Sequence, residues 1–235
     1  MVSVCIATYN GEKYILQQIK SILRQLNVED EIIVSDDEST DNTIVLIESL
    51  KDNRIKISKN NNFKSPIYNF ENALKHAVGD YIFLSDQDDV WLENKIDLMV
   101  AQMKLGYDVV VSDCEIVDEN LKTVHPSYFA FNKSGPGLLK NVLKNSYMGC
   151  CMGFSKRLLE ESIPFPSNLP MHDSYIGLIG ELNFKVKFIY KPLMLHRSHS
   201  SNSSFTSKGK SNFSFTEKIS FRLHLILNFS KKIKW

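Results

Sequence analysis

The chain is poor in the features that would assign it to several large classes. It has four cysteines in 235 residues, two of them adjacent at Cys150-Cys151. There is no ladder of spaced cysteines for a disulfide scaffold and no CxxC spacing for a zinc site. Reduced thiols and a cytoplasmic location are the expectation. No apolar run is long enough to span a bilayer, and the first, Val2 to Ala7, is too short for the core of a signal peptide. No GxGxxG follows the first predicted strand and no GxxxxGK[ST] occurs anywhere, which argues against a dinucleotide fold and excludes a P-loop enzyme. The formal net charge of +1 offers no global attraction for nucleic acid. Internal repeats are absent.

What is present reads as an α/β domain. Hydrophobic residues make up 43% and charged residues 23%, the balance of a globular chain with a real core. Apolar runs at Val2 to Ile6, Glu31 to Val34, Ile55 to Ile57 and Tyr81 to Leu84 have strand length. Between them, residues 12–25, 43–50 and 67–77 repeat apolar residues at helical spacing. Strands alternating with helices predict a mostly parallel, doubly wound sheet. After Lys104 the pattern changes. Strands are predicted at 107–111, 148–154 and 186–190, helices at 136–143 and from Asp173 through Gly180, and a strand or turn at 193–199.

The densest chemistry is Asp86-Gln87-Asp88-Asp89, directly after an apolar strand and before a helical segment that begins near Glu93. In open α/β sheets ligands bind where strands end. Carboxylates crowded there repel one another, so their natural partner is a cation. Oxygen ligands favour Mg²⁺ or Mn²⁺, ions that commonly also hold a substrate phosphate. The first two strands end in Thr8-Tyr9-Asn10 and Asp36-Asp37, which parallel pairing would bring beside Asp86. A carboxylate after the second strand commonly receives donors from a nucleoside. Asp41 equally fits a helix cap.

Three segments together resemble the inverting glycosyltransferases of family 2: Val4 to Gly11, Ile33 to Asp41, and Phe83 to Trp91. Asp86-Gln87-Asp88-Asp89-Val90-Trp91 looks most like the rhamnosyltransferase-type members. The resemblance runs from Met1 to about Ser204 and implies a GT-A fold, with a nucleotide-sugar-binding half over 1–112, an acceptor and catalytic half over 113–204, and a tail over 205–235. It implies nucleotide contacts at Thr8, Tyr9, Asn10, Asp36, Asp37 and Asp86. It implies metal ligands at Asp88, Asp86 and His199, with Mg²⁺ or Mn²⁺ as cofactor, and places Asp173 as general base. His172, His196 and Arg197 would face diphosphate or acceptor. The partners implied are a nucleotide-sugar donor and a saccharide or lipid-linked acceptor on the route to a cell-surface polysaccharide, with no nucleic acid. Two departures stand out: Glu38 where the family usually has Gly, and His172-Asp173 where many members have Glu-Asp. The Gln/Arg-x-x-Arg-Trp motif of polymer-making members is missing, which argues for transfer of a single sugar.

Two other readings compete. An apolar strand followed by Asp-x-Asp-x-Val also fits an aspartate-nucleophile phosphatase. A binding module that keeps the nucleotide site without turnover is the other. The segment from Phe205 to Trp235 carries seven Lys/Arg and one Glu, a local charge of +6 that leaves −5 for the rest. Drawn as a helix it has a broad apolar face. It is expected to make peripheral contact with the inner face of the plasma membrane, or to pack on protein.

Overall fold

The computed structural model describes residues 1–167 and 169–199. The expectations for the tail, for the polar segment from Ser200 and for the boundary near Ser204 lie outside those residues. Nine strands form one sheet. In chain order they are β1 (Val2–Thr8), β2 (Glu31–Asp36), β3 (Ile55–Ser58), β4 (Tyr81–Ser85), β5 (Val90–Trp91), β6 (Val109–Val117), β7 (Thr123–His125), β8 (Met152–Ser155) and β9 (Val186–Arg197). Their spatial order is β3-β2-β1-β4-β8-β6-β9-β5, with β7 attached to β6. The half built from β3, β2, β1 and β4 is parallel throughout. β8 joins it antiparallel to β4 and β6, and β6 and β9 run parallel beyond.

β1, β2 and β4 read as continuous apolar runs because helices cover both faces of the sheet. α1 (Ile15–Leu23) directs Ile15, Ile19 and Ile22 inward, all fully buried. α3 (Pro66–Lys75) opens with Pro at its first position, where the missing N–H is no loss. It buries Phe70, Ala73 and Leu74 and stops four residues short of Gly79. α2 (Thr43–Glu48) and α4 (Lys95–Lys104) complete the first half. The second half adds α5 (Tyr128–Asn132), α6 (Leu138–Leu143), α7 (Lys156–Ser162) and α8 (His172–Asn183). Among the described residues no helix is long and apolar enough to cross a membrane.

Three local expectations change. The acidic stretch does not run directly into a helix: the two-residue β5 intervenes and pairs antiparallel with β9, Val90 opposite Leu195. The segment 148–154 is not all strand, since Gly149–Cys151 forms a 3₁₀ turn before β8. The last two predicted strands are one strand, β9, whose register on β6 jumps between Ile189 and Pro192. Proline lacks the N–H the ladder needs, so the strand bulges there and continues.

The centre of α8 is packed hard against an aromatic ring. A Cβ built on Gly177 would overlap the Tyr147 ring, and Tyr147 is itself buried, with its hydroxyl donating to Glu181 at 2.8 Å. Helix propensity alone favours Ala over Gly by about 1 kcal/mol. Overpacking a filled core typically costs about 1–3 kcal/mol. Gly177→Ala is therefore expected to lower stability, read as a lower urea midpoint with an unchanged slope.

Candidate active site

Register alone brings the polar strand ends together. Thr8 stands opposite Asp36, and Ile6 opposite Ser85, so β1, β2 and β4 end at one edge. Asp36 is buried there. It accepts from Thr8 Oγ1 at 2.9 Å and from both the Ser39 backbone N–H and hydroxyl. Asp37 ties down the loop after β3 through Phe63 N–H at 2.6 Å and Ser65 N–H at 3.2 Å. Asn10 accepts from Thr40 N–H at 2.9 Å, and Tyr9 is 58% exposed, its ring open to the edge. Asp41 takes a capping role: it accepts from Thr43 N–H and from Glu12 N–H.

Gln87, which the sequence reading passed over, joins these loops. Its side-chain amide pairs with the backbone of Tyr9 in both directions, each bond 3.0 Å. Gly11 leaves room for it, since a Cβ at that position would overlap Gln87 Oε1. A Gln between two Asp residues was the available signal, because an amide can both donate to and accept from a peptide group.

The carboxylates then divide. Asp88, buried, meets His199 Nε2 at 2.7 Å. Asp89, fully buried, accepts from His196 Nδ1 and from Arg197 N–H, both at 3.0 Å. Asp86 is half-buried and lies with Asp89, Cys150 and His196 in a cluster whose potential ligand atoms are all within 4.8 Å of one another. Burial, then the Asp89 and Asp88 charges, push Asp86 up to about 8. Burial by itself disfavours a charged His196, but Asp89 and then Asp86 and Asp88 outweigh it and hold the imidazole up to about 10. His196 therefore stands as an imidazolium, the counter-charge of Asp89.

His196 and Arg197 were expected to face diphosphate or acceptor. Both are turned inward instead. Arg197, 2% exposed, donates from Nε to the Asp88 carbonyl (2.8 Å), from one terminal nitrogen to the Glu119 carbonyl (2.6 Å) and from the other to Gln17 Oε1 (2.8 Å). Its guanidinium also lies 4.5 Å from the centre of the Tyr14 ring. The antiparallel β5–β9 pair is the cause: it lays residues 195–197 alongside Asp88 and Asp89.

His172 and Asp173 open α8. Neither is its N-cap, which is Met171. Asp173 is 6% exposed and accepts from Ser174 N–H at 2.6 Å and Gly149 N–H at 3.2 Å. Burial raises it to about 6 against those two bonds. His172 stacks on Phe70 with ring centres 4.5 Å apart, and its buried Nε2 has no hydrogen-bond partner. Burial pushes it down to about 4. The usual order is thus inverted, and the carboxylate is the stronger base of the two. Asp113 is saturated by Phe129 N–H, Cys114 N–H and the Ser127 hydroxyl, which ties it to the start of α5. One turn links Asp173 to the acidic cluster: Gly149 donates to Asp173, Cys150 belongs to the cluster, and buried Lys95 holds the Cys150 carbonyl at 2.6 Å.

Comparison with known proteins gives the family and the fold. The family model for glycosyl transferase family 2 matches residues 3–163. The chain belongs to glycosyltransferase family 2. It is 32% identical over 170 residues to the UDP-Glc:alpha-D-GlcNAc-diphosphoundecaprenol beta-1,3-glucosyltransferase WfgD of Escherichia coli, covering 71% of this chain and 64% of that protein. It is 30% identical over 214 residues to the dTDP-rhamnosyl transferase RfbG of Shigella flexneri, covering 83% and 72%. The chain thus spans a little under two thirds of the first relative's length. Its fold matches S. aureus TarS 1-349, solved with UDP-GlcNAc, at a TM-score of 0.70 and 20% identity, over 96% of this chain and 71% of that one. The GT-A fold follows, and membership of this family leaves the phosphatase reading without support.

The Glu38 position is explained by its backbone. It adopts φ 63°, the left-handed region where glycine is at ease and a residue with a Cβ is strained by about 1–2 kcal/mol. Glu38→Gly loses part of that gain to chain entropy. It is expected to raise the thermal midpoint by about 1–3 °C without weakening nucleotide binding; calorimetry and a nucleotide titration check both.

Proposed function

We propose that this chain is an inverting glycosyltransferase that moves a single sugar from a nucleoside-diphosphate donor, dTDP-rhamnose or a UDP-sugar, to a lipid-linked or polysaccharide precursor. The acceptor class rests on the printed activity of the Escherichia coli relative, and the donor class on both relatives. The observation that carries the reading is the meeting of Asp88 with His199, 111 residues apart in sequence, at 2.7 Å. We divide the chain as the family resemblance implies, with 1–112 binding the nucleotide sugar and the acceptor side beyond it. Action at the cytoplasmic face of the membrane fits an acceptor of that kind.

A divalent cation suits this edge. Asp88 and His199 offer one oxygen and one nitrogen donor, and Asp86 a second carboxylate, a hard-to-borderline set fitting Mn²⁺ or Mg²⁺. Such an ion supplies Lewis-acid neutralisation of the departing diphosphate. The protein's own groups do the rest. Thr8, Asn10, Asp36 and Asp37 shape the nucleoside end, with Tyr9 exposed beside them. Arg197 and Gln87 hold the Asp88 loop from either side. Asp173 takes the proton of the acceptor hydroxyl as its oxygen bonds to the anomeric carbon and the sugar–diphosphate bond breaks. His172, neutral and stacked on Phe70, lines the same end of α8.

The metal role predicts that EDTA stops transfer and that Asp88→Asn lowers metal-dependent nucleotide affinity at least about tenfold. Isothermal titration with and without Mn²⁺ reads this, and unchanged affinity would return Asp88 to a structural role.

The base predicts a split between binding and turnover. Asp173→Asn should keep donor affinity and lower kcat on the order of a hundredfold or more. The working form is ionised, so in the wild type kcat should fall on the acid side with a midpoint near the group's raised value of about 6. Below it the rate drops about tenfold per pH unit. An acid limb that persists unshifted in a still-active Asp173→Asn enzyme assigns the limb elsewhere.

A further inference from the structure

Charge is divided unevenly along this chain. Residues 1–119 carry twenty-two Asp/Glu against eleven Lys/Arg, whereas residues 120–199 carry four against ten. The acidic half holds the carboxylate edge. The basic half shows a surface of a different kind on α5, α6 and the exposed part of β9.

On the six-residue helix α6, Leu139 is 80% exposed and Leu143, one turn on, is 66% exposed. Lys140 and Lys144 follow them in sequence and are exposed as well. Lys144 Nζ donates to the Asn132 carbonyl at the end of α5 at 2.7 Å, which brings exposed Lys133 to the same side. Tyr190 of β9 is 68% exposed, and its hydroxyl converges with Lys140 Nζ at Gly135. Of the four carboxylates in this half, Glu181 is the one bound to α6's own start. It is turned inward, accepting from Gly137 N–H and the Tyr147 hydroxyl. Leucines at i and i+4 flanked by lysines match a layered partner: anionic groups outside and hydrocarbon beneath.

We propose that this face seats the protein on an anionic lipid bilayer, with Leu139 and Leu143 entering the headgroup–acyl boundary and Lys133, Lys140 and Lys144 over lipid phosphates. An amphipathic surface with lysines at its margin binds by those two forces together, the lysine stems lying along apolar ground while their ammonium groups stay in water. The contact has a functional direction that rests on the transferase reading. α8, whose first turn carries Asp173, is bonded to the start of α6 through Glu181. Docking by α6 therefore turns the acceptor half toward the layer that holds a lipid-linked acceptor.

The test uses the full chain and no sugar donor, so its outcome is separate from that of the transferase reading. Flotation is measured with phosphatidylcholine vesicles with and without phosphatidylglycerol. The wild type is expected to float with the anionic vesicles alone. Lys133→Gln/Lys140→Gln/Lys144→Gln should lower the partition coefficient on the order of a hundredfold, at roughly fivefold per lysine. Leu139→Ser/Leu143→Ser should lower it with the charge unchanged. A parallel variant, Lys231→Gln/Lys232→Gln/Lys234→Gln, reports on the tail. Leu139→Trp provides a readout in an otherwise native chain, with an expected blue shift and quenching by brominated lipid. Binding that the α6 variants leave unaltered, binding lost through the tail variant alone, equal binding to neutral vesicles, or a tryptophan that stays in water would each overturn the proposal. Capture by an acidic protein without vesicle binding would do so too.

Discussion

Three carboxylates in four residues, two of them buried, are the constraint around which this molecule is arranged. Potential ligand atoms of Asp86 and Asp89 lie within 4.8 Å of one another, and two unit charges about 5 Å apart repel by about 3 kcal/mol at an effective dielectric near 20. Such a loop needs positive charge from elsewhere. Strand β9 supplies it through His196, which faces Asp89, and Arg197, which grips the Asp88 carbonyl; His199, just beyond the strand, meets the Asp88 carboxylate. The short β5 exists to bring that strand alongside. The far end of the described chain is thus bonded to the loop that follows the fourth strand.

The second organising feature is the inversion at the start of α8. Burial disfavours charge on either residue, so it raises a carboxyl and lowers an imidazole. Asp173 ends near 6 and His172 near 4. Two backbone N–H bonds orient Asp173 and limit the rise. A neutral His172 stacked on Phe70 keeps that end of the helix dry without adding a competing charge. The turn at Gly149–Cys151 connects Asp173 to the acidic cluster, with a buried lysine bonded to the turn.

Much of the first half was readable in advance because its determinants are local. Parallel strands buried on both faces announce themselves as apolar runs, and a parallel ladder aligns their ends without further information. Thr8, Asp36 and Asp86 therefore came to one edge as expected. The positive φ at Glu38 shows why the family favours glycine there, even though no spacing rule reveals a backbone angle.

By itself the sequence determined the α/β class, the family and the list of chemically able residues, since strand length, helical period and the order of motifs are properties of neighbours along the chain. Tertiary structure decided what those residues face. His196 and Arg197 look in sequence like groups awaiting an anionic ligand, yet a two-residue strand paired across 100 residues turns them onto Asp89 and the Asp88 loop. Gln87 is visible in sequence as an amide between two Asp residues, but that it clamps the backbone of Tyr9 is decided by the packing of the two loops. The choice between His172 and Asp173 also belongs to the fold, because desolvation is set by what packs around a group and not by what precedes it.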